Sequence, residues 1–386
     1  MMKGCVSRQN MAEPEQVQGL PKLFSYNAFL LTASLFLGLL LFESILDKNA
    51  LTAISILLVL AIGLLVSSAD FFIAGARSLA KRAGVAEVVI GLTVVSIGTS
   101  LPEILVTASA AYDIPTSSGD VADLAVGSIF GSVLVQITLI LGIVALTRPI
   151  RVGPEWLRRD GMLMLGANVL LGVLIWTGTK LGRVEGGFLV LAYVWYVVWL
   201  VRHRKEIQED AREQGLEPQA GETMSLWSTG ASLVMVVLGL GFALFAAHHL
   251  VDLAVQVAEK LSVSEAVIGT TISGIGTSLP ELTIALLSVK KSEGVAIGTL
   301  VGSNITDPTL SIGIAALIHP LEVSSAGWTI TSGLIIPATI VSIGVALLFM
   351  RTNYRFRRRE GAMLISLYLV FLVLLALQRN GIILAT

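Results

Sequence analysis

The chain has 386 residues, of which 54% are hydrophobic and 14% charged, with a mean hydropathy of +0.83. Soluble domains average about 25% charged residues, so a soluble fold would carry an untenably apolar surface and a membrane protein is expected. The formal net charge of −1 points to no charged macromolecular partner, nucleic acid included, and Cys5, the single cysteine, excludes an intrachain disulfide.

Apolar runs of about 20 residues, enough to cross about 30 Å of hydrocarbon, recur eleven times. After a polar tail, the first covers 28–45 and could be either a retained span or a cleaved signal; it is long and has no convincing small-residue cleavage site. Then come 52–76, 86–112, 121–146, 161–179 and 185–202. A charged stretch over 202–222 leads to 228–256, 264–289, 294–318, 328–350 and 361–378. Helices are predicted throughout, because backbone groups in lipid must be satisfied within their own segment. Of the 26 Lys and Arg residues, 21 fall in the N-terminal tail and the loops on its side. This bias predicts a multi-pass cell-membrane protein with a cytoplasmic N-terminus and an extracytoplasmic C-terminus.

The chain resembles itself. VIGLTVVSIGTSLPE (89–103) matches VIGTTISGIGTSLPE (267–281) at an offset of 178, and GVAEVVIG (84–91) matches SVSEAVIG (262–269). AVGSIFGSVLVQITLILG (125–142) matches AIGTLVGSNITDPTLSIG (296–313) at an offset of 171. Spans two to six and seven to eleven thus form two sets of five. Five is odd, so the sets cross in opposite senses, the inverted-repeat design of many secondary transporters. The expected fold is an all-α membrane protein of two inverted five-helix repeats with discontinuous helices and one extra N-terminal transmembrane helix. Its divisions are 1–50 (tail and extra helix), 51–202 (first repeat), 203–226 (cytoplasmic linker, too short for a folded regulatory domain) and 227–386 (second repeat).

Pro102 and Pro280 each interrupt a span and are predicted to leave unpaired carbonyls over 96–99 and 274–277. Such backbone persists at membrane depth only where protein or a hydrated cavity faces it. Beside the breaks stand Thr99, Ser100, Glu103, Thr277, Ser278 and Glu281; the second matched blocks add Ser132, Gln136, Ser303 and Asp307. All offer oxygen, which suits hard cations such as Ca²⁺. Buried acids that repel one another call for a cation or a proton among them. A lone Pro-Glu would read as a kink with a snorkelling acid; two copies in register argue for a cation pathway. Gly127, Gly131, Gly298 and Gly302 are expected to act in close packing.

At GTSLPE (98–103), GTSLPE (276–281) and GSNITD (302–307) the sequence resembles the calcium/cation antiporter superfamily, in its sodium/calcium exchanger branch of prokaryotic type. The resemblance covers about residues 52–378. It implies electrogenic exchange of Na⁺ for Ca²⁺ by alternating access, with the ions as transported substrates and no cofactor. It makes Glu103 and Glu281 the shared Ca²⁺ ligands, has Thr99 and Thr277 give carbonyls, assigns Na⁺ contacts to Ser100, Ser278, Ser132 and Ser303, and completes the ring with Gln136 and Asp307. Ser128, Val133 and Gln136 stand where that branch has asparagines; Thr299 replaces another and Asn304 is kept. Proton- or K⁺-coupled exchange, and less readily a cation channel, remain as alternatives. An enzyme is not expected, since the serines lack a histidine partner in the matched blocks. One protomer holds both halves, so a functional monomer is expected.

Other polar residues stay ambiguous. Asp70, Asp252, His248 and His249 near segment ends read either as a proton relay or transition-metal ligand, or as solvated groups. Asp113, Asp120 and Asp123 are expected in a solvated external loop, and RTNYRFRRRE (351–360) as a lipid-facing basic anchor.

Overall fold

A computed structural model describes residues 23–46, 50–82, 96–115, 120–178, 180–203, 205–206, 228–289 and 293–379. The repeat segments at 84–95 and most of the 203–226 linker lie outside the described residues. Among the described residues, helices fall within each of the eleven predicted spans, and seven helices are long and apolar enough to cross a membrane. Several of the others are interrupted. Ser96–Thr99 and Leu101–Asp113 form the described part of the third span, Glu265–Thr277 and Leu279–Ser288 the eighth.

The pseudo-symmetry is visible in the irregularities. Wide π-helical turns interrupt Gln136–Ile140 in the fourth span and Asp307–Ser311 in the ninth, then Leu157–Gly161 in the fifth and Thr331–Ile335 in the tenth. Two short strand pairs cross between halves: Ile150–Arg151 with Arg355–Phe356, and Lys180–Leu181 with Leu321–Glu322, both antiparallel. Each pair joins the connection of one half to the opposite connection of the other, as a two-fold relation requires. Phe356 is fully buried, so part of the basic 351–360 run is a structural clasp and not only an anchor.

Glycine permits the corresponding helix crossings. A Cβ on Gly142 would lie 2.7 Å from the Gly361 carbonyl, and one on Gly186 2.8 Å from the Gly313 carbonyl. These are the same crossing in the two halves, fourth span on eleventh and ninth on sixth. In hydrocarbon, where apolar surface gains little by leaving lipid, such backbone proximity supplies much of the helix–helix attraction.

The fourth span is the centre of the fold. Every residue of Val121–Val135 is buried, consistent with a sequence that is apolar all round and has no polar face to give to solvent. The extra helix, Leu23–Ile45, packs on the second span and touches the seventh. Its Thr32 hydroxyl meets Ser67 at 2.5 Å, and Phe36 rests 5.1 and 5.0 Å from Phe242 and Phe245.

Candidate functional site

The two Pro-Glu motifs adopt matching local structure. Ser100 (φ −78°, ψ 5°) and Ser278 (φ −85°, ψ 6°) leave the helical region at the same point, and each helix restarts with the proline in its first turn, where a missing N–H costs nothing. Pro102 and Pro280 have no N–H for Gly98 and Gly276. In the first half the freed region is narrower than the expected 96–99, because the Ser96 carbonyl accepts from Ser100 N at 3.0 Å and Thr99 Oγ1 at 3.1 Å; just before the second region the Ser273 carbonyl accepts from Thr277 Oγ1 at 3.0 Å.

All ten predicted site residues are fully buried: Thr99, Ser100, Glu103, Ser132, Gln136, Thr277, Ser278, Glu281, Ser303 and Asp307. Close packing of the fourth span on the eighth brings the halves together. A Cβ on Gly131 would stand 2.4 Å from the Thr270 carbonyl, and one on Gly127 2.6 Å from that of Ala266. A Cβ on Gly302 would lie 2.9 Å from Ser96 Oγ, whereas one on Gly298 would meet nothing described within 4 Å.

Ser132 is the hub. Its hydroxyl donates to Glu103 Oε1 at 2.9 Å and lies 2.9 Å from Ser278 Oγ and 3.3 Å from Asp307 Oδ2. The symmetry-related Ser303 donates to Glu281 Oε1 at 3.3 Å and meets Thr99 Oγ1 at 3.1 Å. Gln136 and Asp307 both open a π turn, the kind of local widening often found at functional positions. Asp307 accepts from the Gln136 amide at 3.2 Å.

Among the described residues, one oxygen of each acid has no hydrogen-bond partner: Glu103 Oε2, Glu281 Oε2 and Asp307 Oδ1. Among the described residues no Lys or Arg pairs with these acids. Buried charge without a countercharge is expensive, so the pocket is suited to a cation that the protein itself does not supply.

Sequence reasoning assigned Gln136 an oxygen toward the pocket. Its Oε1 instead accepts from Asn304 Nδ2 at 3.0 Å, and its NH₂ faces Ser132 and Asp307. Two neighbours, Asn168 and Tyr193, were missed, and Ser128 was noted only as standing in an asparagine place. Asn168 Nδ2 donates to the Asn304 carbonyl at 3.0 Å, Ser128 meets Ser273 at 2.9 Å, and Tyr193 meets Thr306 at 3.1 Å. A lone asparagine inside the apolar run MLMLGANVLLG was the available signal for the first.

The remaining candidates lie outside the pocket. His248 stands between Asp113 (3.3 Å) and Asp252 (3.6 Å), and His249 faces Glu43 at 3.3 Å. The expectation of a solvated loop fails for Asp123, which is buried within the fourth span and accepts from Ser324 N at 2.9 Å and Ser324 Oγ at 2.6 Å. It thereby holds the Ser324 cap of the tenth span, whose orphan N–H groups need acceptors. Asp120 is exposed, as a loop position would be.

Compared with known proteins, the chain matches the family described as sodium/calcium exchanger protein over residues 53–202 and 231–377. It is 35% identical over 324 residues to the inner membrane protein YrbG of Escherichia coli (strain K12), covering 83% of this chain and 95% of that one. To the sodium/calcium exchanger MaX1 of Methanosarcina acetivorans it is 30% identical over 360 residues, covering 83% and 97%. Among solved structures it is similar to the sodium-calcium exchanger NCX_Mj, with a TM-score of 0.54 and 27% identity over 81% of this chain and 95% of that one.

Proposed function

The chain belongs to the sodium/calcium exchanger protein family, whose members are transporters and not enzymes, and on that premise we propose that it is a secondary antiporter exchanging Na⁺ for Ca²⁺ by alternating access. The observation that carries this reading is the set of three fully buried acids, each with one carboxylate oxygen lacking a partner. Glu103, Glu281 and Asp307 are the charged ligands. The hydroxyls of Ser100, Ser132, Ser278 and Ser303 and the backbone at Thr99 and Thr277 complete the oxygen set, which suits the irregular cages of 6 to 8 oxygens that Ca²⁺ takes.

Coupling follows from the same electrostatics. A charge at the centre of the bilayer costs about 2.5–3.5 kcal/mol even on lenient scales, so a pocket holding several bare carboxylates reorients poorly. Either Ca²⁺ or Na⁺ relieves that cost. Each ion type therefore licenses the return step that the empty pocket disfavours, which gives exchange and not uniport. The protein acts as a monomer, with its N-terminus cytoplasmic and its C-terminus extracytoplasmic, and expels Ca²⁺ from the cytoplasm.

Purified protein in proteoliposomes, given an outward Na⁺, K⁺ or pH gradient, tests the driving ion by ⁴⁵Ca²⁺ uptake. Uptake should follow the Na⁺ gradient. Uptake driven only by the pH or K⁺ gradient would replace Na⁺ as the coupled ion, and flux persisting with no counter-ion would make the protein a channel.

A further inference from the structure

Resting on the reading of this pocket as a cation site, we infer that Gln136 is a fixed hydrogen-bond donor that competes with the cation for Asp307 and so sets cation affinity, and is not an oxygen ligand.

The direction of the Gln136 amide is decided outside the pocket. The Leu300 carbonyl can only accept, and Asn304 Nδ2 lies 2.6 Å from it; the reverse orientation of Asn304 would set two acceptors against each other. The same NH₂ donates to Gln136 Oε1 at 3.0 Å. The backbone at Asn304 is itself held, since its main-chain carbonyl receives Asn168 Nδ2 at 3.0 Å, and Asn168 Nδ2 also donates to the Met164 carbonyl at 2.9 Å. With Oε1 committed, the Gln136 NH₂ must face Ser132 Oγ (2.8 Å) and Asp307 Oδ2 (3.2 Å). Gln136, Asn168 and Asn304 are all fully buried, so bulk water offers none of the three amides an alternative partner.

Two consequences follow. In the ion-free pocket the N–H offsets part of the Asp307 charge, because hydrogen bonds to ionised acceptors are the stronger kind. When a cation arrives, it shares Asp307 with a donor whose positive end already points at that carboxylate, which weakens cation binding. An oxygen ligand would do the reverse. Asn304 then acts as a positioning residue, since it orients Gln136 without facing the cation, and Asn168 supports the Asn304 backbone.

The test is equilibrium ⁴⁵Ca²⁺ binding to the purified full chain and to two variants. Gln136→Met keeps the volume and removes both ends of the amide. It should bind Ca²⁺ at least as tightly as the wild type; binding about tenfold weaker, the loss of roughly one ligand's contribution, would show Gln136 to be an oxygen ligand and overturn the inference. Asn304→Leu leaves the pocket's own groups in place and frees the Gln136 amide to turn its oxygen inward. It should tighten Ca²⁺ binding severalfold, and unchanged or weaker binding counts against the inference, so this arm decides if Gln136→Met does not fold. A wild-type chain that binds no Ca²⁺ above a chelator control overturns the cation-pocket reading and the inference with it, whereas a failure in the variants alone overturns only the role of Gln136.

Discussion

Ser132 and Ser278 stand with their hydroxyl oxygens 2.9 Å apart across a separation of 146 residues. Glycine makes the approach possible: Cβ atoms added at Gly131 and Gly274 would lie 2.4 Å from the Thr270 carbonyl oxygen and 2.8 Å from the Gly131 carbonyl carbon. A methyl group at either place meets backbone, which cannot rotate away.

Gly131→Ala is therefore expected to destabilise the protein by about 1–3 kcal/mol or more through overpacking and to abolish transport by separating the halves. Gly344→Ala is the control, because nothing described lies within 4 Å of its added Cβ. There the helical preference of alanine should stabilise by about 0.5–1 kcal/mol. Thermal unfolding of the two purified variants gives the comparison, and equal melting temperatures would contradict it.

Glu103→Gln and Glu281→Gln each keep an oxygen for the neighbouring serine, Ser132 or Ser303, while removing a charge. Each should reduce ⁴⁵Ca²⁺ exchange at least tenfold with little change in folding. Normal exchange by either variant in vesicles would remove that glutamate from the ligand set.

Asp123→Ala removes the acceptor for Ser324 N and Ser324 Oγ. Ser324 is half-buried, so leaving those donors without their buried acceptor should cost about 1 kcal/mol. Asp120→Ala, at an exposed position, should stay within about 0.5 kcal/mol of the wild type. Chemical denaturation of both variants in detergent measures the difference, and equal stabilities would refute the capping role.

Lys180 donates a hydrogen bond to Glu322 across the second strand pair and, by that bond and its charge, holds the Glu322 carboxyl below the usual carboxylate range. A lowered folded-state value means that the contribution is present above the ordinary carboxylate pKa and is lost as pH falls through the lowered one. Both groups are exposed, so the effect is small. Lys180→Met should leave stability at neutral pH nearly unchanged and flatten its decline in acid, which a melting series between neutral and acidic pH would reveal.

Much of the fold was legible because it rests on local quantities. The eleven apolar lengths, the two prolines, and the doubled GTSLPE each constrain their own segment whatever surrounds them. The buried pocket was legible for a related reason: oxygen-bearing side chains inside apolar runs have few tolerable places to go except one another. Asp123 defeated that reasoning. It lies at the start of the predicted 121–146 span yet was grouped with the loop acids Asp113 and Asp120, and its acceptor role depends on Ser324, some 200 residues away.

The sequence by itself determined which segments are apolar enough to cross, where two helices break, that the halves are inverted copies, and that oxygen-bearing side chains stand at the breaks; each follows from hydrophobic length, from the missing N–H of proline, from parity, or from the residues themselves. Only the tertiary structure decided which carboxylate oxygens are left free and that Gln136 presents N–H and not C=O to Asp307. Hydrogen-bond direction is set by what the partner can accept or donate, and here the deciding partner, the Leu300 carbonyl, acts through Asn304 from a helix of the other half.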